Sequence, residues 1–271
     1  MNNFLFITGS DKSSGPNKQL LNLLISLSNN KNLIINLYIC NLVTKNEISI
    51  LDEFKKINNL KVFYKKGGRE NYLLSIKRSI KNLLSLIRKN NYEIIQTSGL
   101  IPDLCIYIIK KFTKLNFKWV CFARSQIKFE YKIRFKPLIW GKTLSYIHAF
   151  LFNKCDLLIC VSNSVAKQIK KINKHTRIMH NSLTLKDERR ISYINNKETQ
   201  NQNYARGDFY SFIYVGHFDY LKNPKEIVEF WARKKSKNLN LKLIGKYQCT
   251  KYFKKMKSQV NLFKNIKVNQ P

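Results

Sequence analysis

A chain of 271 residues, 44% of them hydrophobic, carries ample material for a packed core in one large domain or two smaller ones. Fifty Lys and Arg against 16 Asp and Glu leave a net charge of +34, a field that attracts polyanions: nucleic acid, an anionic leaflet or phosphorylated substrates. The basic residues are spread along the whole chain, without an aromatic RNP-type motif or paired Cys/His fingers, which disfavours a nucleic-acid reader; no apolar run reaches the ~18 residues of a membrane-spanning helix.

The opening "MNNFLFITGS" has no basic leader and no cleavage signal and reads as a first β-strand, so the chain is expected to stay on the cytoplasmic side. Short apolar runs then alternate with longer amphipathic stretches, the pattern of a parallel sheet flanked by helices. The predicted strands are Phe4–Thr8, Leu33–Cys40, Leu60–Phe63, Glu93–Thr97, Lys118–Ala123, Leu157–Val161 and Arg177–Met179. Helices are predicted at Asn17–Ser28, Asn71–Asn90, Asp103–Lys114, Gly141–Asn153 and Ser162–Asn173. In Asn71–Asn90, Leu73, Ile76, Ile80, Leu83, Leu84 and Ile87 recur at helical spacing, which makes this a core-facing helix with a wet basic side. From Thr184 to Asp208 apolar periodicity disappears, the mark of a linker between domains 1–183 and 209–271. The rhythm restarts with a strand at Phe212, a helix led by Pro224, a strand at Leu241–Ile244, a helix near Lys251–Phe263 and a strand at Ile266–Val268. Cys40, Cys105, Cys121, Cys155, Cys160 and Cys249 sit mostly inside apolar patterns without a CxxC pair, which reads as buried reduced thiols rather than disulfides or a metal site.

Three segments fall where strands end and helices begin, and a fourth ends a strand just before the linker. "GSDKSSGPNKQ" places small residues before a helix whose first turn holds Pro16, a setting that lets backbone approach an anion or makes a plain turn. "QTSGLIPDL" sets Thr97, Ser98, Gly99 and Asp103 at a carboxyl edge, the side where open α/β sheets bind ligands; Asp103 after Pro102 equally suits a helix-start acid. "CDLLICVSNSVAKQI" offers Ser162, Asn163 and Ser164 as helix caps, and "RIMHNS" brings His180, which reads as a structural histidine. No GxxxxGK[ST] is present, which disfavours a P-loop enzyme.

In this order the segments resemble the retaining glycosyltransferases of family 4. The matching residues are Ser14–Leu20, Gly99–Leu104, then Asp156, Ile159–Ser162, Val165 and Ala166, Asn181, and finally Tyr214–Gly216 with Lys222–Pro224. The resemblance implies an α/β fold of GT-B type, two Rossmann-like domains with the second incomplete. It also implies transfer of a sugar, with retention, from a nucleotide-diphosphate sugar that is the substrate, with no further cofactor and no metal. The acceptor would be lipid-linked or a polysaccharide, in bacterial surface polysaccharide synthesis, with the enzyme peripheral on the inner face of the plasma membrane. By position Gly15, His217 and Lys222 would serve the donor, and Ser98, Asp103 and Arg124 the acceptor side; no catalytic residue is assigned. His217 stands where the family has arginine, Ser98 where it has histidine, and Ser182 where it has glycine. The family's paired glutamates have no counterpart here, and Ala232–Pro271 holds no acid. The reading therefore includes activity impaired by truncation, and a nucleotide- or sugar-binding scaffold as its alternative.

Overall fold

The computed structural model describes residues 2–42, 48–64, 72–134, 138–169, 175–181, 210–220, 222–234, 239–245, 250–260 and 266–269. Contacts divide the chain into two units, Met1–Arg189 and Arg190–Pro271. The expected linker Thr184–Asp208 lies outside the described residues.

The first unit runs β1 (Asn2–Ser10), α1 (Gly15–Ser28), β2 (Leu33–Asn41), α2 (Leu51–Lys55), β3 (Leu60–Tyr64), α3 (Tyr72–Asn90), β4 (Ile94–Ser98) and α4 (Leu100–Phe112). It continues through β5 (Lys118–Ala123), α5 (Ile127–Arg134), α6 (Leu138–Lys154), β6 (Leu157–Cys160), α7 (Asn163–Ile169) and β7 (Thr176–Ile178). Seven parallel strands lie in the order β3-β2-β1-β4-β5-β6-β7. The order reverses between β1 and β4, where Phe4 pairs Ile35 on one side and Ile94 on the other.

Strand side chains alternate between faces, and two cores follow from that alternation. Leu5 and Ile7 of β1 join Tyr38 and Cys40 of β2 in a core closed by α3, α4, α6 and α7. Phe6 faces the other way with Ile35, Leu37 and Ile39, under Leu20 and Leu24 of α1 and Phe54 of α2. A sheet covered on both faces needs continuous apolar strands, and "FLFI" and "LYIC" supply them.

The second unit has β8 (Tyr210–Val215), α8 (Pro224–Lys234), β9 (Leu239–Ile244), α9 (Thr250–Val260) and β10 (Ile266–Asn269). Its three parallel strands are ordered β10-β9-β8, around a core of Phe218, Val228, Trp231, Leu241, Leu243, Tyr252, Met256 and Val260. Five of the cysteines are buried, as expected, and Cys249 lies outside the described residues.

Candidate functional site

All seven strands of the first unit are parallel, so the segments after β1, β4, β5 and β6 gather at one carboxyl edge, with the β1/β4 reversal in its middle. The β1–α1 loop is braced from within. Asn17, buried in the first turn of α1, donates through Nδ2 to the carbonyls of Ser10 and Lys12, 2.8 Å each, and accepts from Thr8 Oγ1 at 3.0 Å. From the far side, Ser13 N donates to Ile48 O at 2.7 Å and Ile50 N to Asp11 O at 2.9 Å, while Ser49 Oγ donates to Asp11 Oδ2 at 2.5 Å. Ser14 caps α1, taking the Asn17 N–H on its hydroxyl at 3.4 Å, and Pro16 stands in the first turn. A Cβ placed on Gly15 would meet nothing within 4 Å, so the protein's own packing does not demand glycine there and the backbone is open to approach.

Arg124 follows β5 and reaches this loop: Nη1 donates to the carbonyl of Pro16, next to Gly15. Burial lowers its pKa to about 10, its guanidinium lies over Phe122 with Cζ 5.0 Å from the ring centroid, and its Nε is buried without a partner. Two of the sequence-predicted residues, Gly15 and Arg124, are thus brought together. Ser98 ends β4 half-buried, followed by Gly99 at φ 103°, a conformation that suits glycine and opens α4.

Asp103, expected on the acceptor side, is placed in the core. It is 0% exposed, and its Oδ2 lies 2.8 Å from His148 Nε2 of α6 while Oδ1 accepts from Cys121 Sγ at 3.7 Å. His148 Nδ1 lies 2.8 Å from Tyr131 OH of α5, so a chain of polar side chains ties α4, α6 and α5 inside the core. The physical reason is helix phase: Asp103 shares its buried side of α4 with Ile106, and a buried carboxylate requires partners. Ser162 caps α7, with Val165 N 3.3 Å from its hydroxyl, and His180 Nδ1 lies 3.2 Å from the Val161 carbonyl, as a structural histidine would.

In the second unit, His217 and Lys222 belong to one loop at the carboxyl end of β8. Lys222 N donates to Asp219 Oδ1 at 2.8 Å, Asn223 N to Asp219 O at 2.9 Å, and Asn223 adopts φ 43°. Tyr252 of α9 locks the turn, donating to Asn223 Oδ1 at 3.1 Å and accepting from Lys225 N at 2.8 Å. Phe218 is fully buried beneath, whereas His217 and Lys222 are exposed. At the strand ends, Gly216 N donates to Ile244 O at 3.0 Å, and a Cβ on Gly245 would stand 1.7 Å from Gly216 O. The loop therefore presents an ammonium and an imidazole on a frame fixed by Asp219, Asn223 and Tyr252.

The sequence reading missed Asn17 as the brace of the first loop and Tyr252 as the lock of the second. Asn in a first helical turn after a run of small residues is a usable signal for the former; Tyr252 lies 29 residues from Asn223 and leaves none.

The model of "Glycosyltransferase Family 4" matches residues 50–186. Sucrose-phosphate synthase from Thermosynechococcus elongatus is similar in structure with a TM-score of 0.68 and 14% identity, over 100% of this chain and 70% of that one. The apo form of the lipopolysaccharide outer core galactosyltransferase WaaB gives 0.60 and 12%, over 99% and 68%. Anabaena HepE in complex with UDP and glucose gives 0.58 and 15%, over 98% and 68%. At these identities the likeness concerns the fold, which is of GT-B type with a partial second domain. No curated protein matches the sequence.

Proposed function

We propose a donor-handling role for the second unit from one premise: the chain belongs to glycosyltransferase family 4, and is a transferase by family. The observation that carries the reading is the β8–α8 loop, where a braced turn leaves Lys222 and His217 exposed at a sheet's carboxyl end. The donor is a nucleotide-diphosphate sugar, in keeping with the UDP held by the similar Anabaena structure. When the sugar departs, charge accumulates on the pyrophosphate, and an ammonium carried on a braced turn stabilises it more in the transition state than before. Lys222 fills that role, and the exposed His217 imidazole stands in the same loop. On the first unit, the open backbone at Gly15 and the anchored Arg124 guanidinium suit an anionic or hydroxyl-rich part of a substrate. Transfer proceeds with retention to a lipid-linked or polysaccharide acceptor at the inner face of the plasma membrane, a reading supported by the family's use and by the net charge of +34.

Calorimetry of the full chain with UDP, GDP and ADP tests the donor role. Millimolar binding of at least one, on the order of −4 kcal/mol, is expected, weakened about tenfold or more by Lys222→Ala, since a hydrogen bond to a charged group contributes ~1.5–3 kcal/mol. Absence of binding, or binding indifferent to Lys222→Ala, overturns it.

A further inference from the structure

One helix of the first unit is apolar on both sides. Gly141, Ser145, His148, Leu151 and Phe152 of α6 are buried, the last two in the core. The opposite side is exposed and nonetheless carries Ile139 at 69%, Trp140 at 60%, Tyr146 at 69%, Ile147 at 40% and Phe150 at 46% exposure. At about 100° per residue these five positions share one face with Lys142, Thr143, Asn153 and Lys154. Phe129 of α5, 54% exposed, adds to the apolar residues. Solvated helix faces are normally polar, and an exposed apolar patch of this kind marks an interaction surface.

Charge identifies the occupant. Residues 138–154 contain no Asp or Glu, and Lys142 and Lys154 flank the aromatic stripe while Lys128 and Lys132 are exposed on α5. Lys154 Nζ lies 5.3 Å from the ring centroid of Phe150, an arrangement in which the stem lies along apolar surface with the ammonium at its edge. The two acids nearest in sequence are engaged elsewhere, Glu130 with Ser125 and Asp156 with Lys110, and Asp103 of α4 is held by His148. A second copy of the chain would set like-charged lysines against each other. Trp and Tyr beside lysines, on a helix face rather than in a groove, match the headgroup level of an anionic bilayer.

We propose that the outer face of α6, with Phe129, Lys128 and Lys132 of α5, is a docking surface for an anionic phospholipid leaflet. The proposal rests on the membrane-peripheral reading above and names the surface responsible. The face inserts its aromatics at headgroup depth while the four lysines engage lipid phosphates. Gly141 makes the surface possible, because α6 approaches α5 so closely that a Cβ there would stand 2.6 Å from Tyr131 O.

Sedimentation of the full chain with phosphatidylglycerol-containing and with pure phosphatidylcholine vesicles, at low and high salt, provides the test. Binding to the anionic vesicles is expected to exceed that to neutral ones and to fall about tenfold or more with salt. It should fall comparably in Trp140→Ala/Tyr146→Ala and in Lys128→Gln/Lys142→Gln, both at exposed positions. In the unsubstituted chain, Trp140 emission should shift to the blue on anionic vesicles, and Trp140→Phe should remove the shift while keeping binding. Undiminished binding by both double variants overturns the proposal, as does equal binding to neutral vesicles. Concentration-dependent dimerisation lost in the same variants would overturn it in favour of self-association. Nucleoside diphosphate titration of these variants keeps the readings apart: unchanged titration with lost vesicle binding supports the surface, and a failed Lys222→Ala test leaves the vesicle result standing.

Discussion

β1 of the first unit and β8 of the second carry the same kind of apolar run, "FLFI" and "FIYV", with opposite outcomes. β1 is paired on both flanks, by β2 and β4, and Leu5, Phe6 and Ile7 are all at most 3% exposed. β8 is paired, among the described residues, by β9 alone, and Ile213 and Val215 are 63% and 75% exposed. The contrast teaches that an apolar strand is only the raw material of a parallel sheet; burial needs a second flank and helices on both faces. Stability should follow burial, with the first unit the firmer.

The comparison can be broken from either side. Trp119, the largest fully buried side chain, donates to Thr97 Oγ1 at 2.8 Å in β4, and Trp119→Ala should cost the first unit about 3–5 kcal/mol. Hydrogen exchange read by mass spectrometry should show β1, β4 and β5 losing protection while β9 keeps its own; loss in both units together would mean that they do not fold separately. The reverse substitution is Gly245→Ala, which forces a Cβ onto Gly216 O and should cost the second unit about 3 kcal/mol. Here β8 and β9 should exchange faster with β1 unchanged, and an unaltered β9 would show that the two strand ends are not held as described.

Alkali gives the smallest and most selective effect. Burial, with the charge of Asp103 adding, raises Cys105 from 9.0 to about 12, and burial beside Cys155 raises Cys160 to about 11. The folded first unit therefore keeps protons that unfolded thiols release above pH 9.0. Its stability is full below that value and declines as pH rises through about 11 and 12. In the second unit burial raises Tyr252 from 10.0 to about 12, so the decline begins later. Between pH 9 and 10, exchange in the first unit should quicken before that in the second, with melting lowered by roughly a few degrees. The opposite order would break the assignment.

Strand positions were legible because buried parallel strands write themselves as short apolar runs, and Lys118–Ala123 was placed to the residue. Helices were less so. α5 was missed because only Ile127 and Tyr131 of its residues face inward, too few to declare a period. The sequence pattern starts α6 at Gly141, whereas that glycine lies inside the helix and serves the approach to Tyr131 O. At the candidate site, the loops were legible as clusters of small and polar residues at strand ends. The direction of Asp103 was not, since its partner His148 stands 45 residues away and only the packed helices bring them together.

Asn17 holds the β1–α1 loop through three hydrogen bonds that exist in the free protein. The ordering entropy of that loop is thus settled during folding, before any substrate arrives. A molecule meeting the backbone near Gly15 finds a formed surface, and its binding free energy is not diminished by the cost of arranging one.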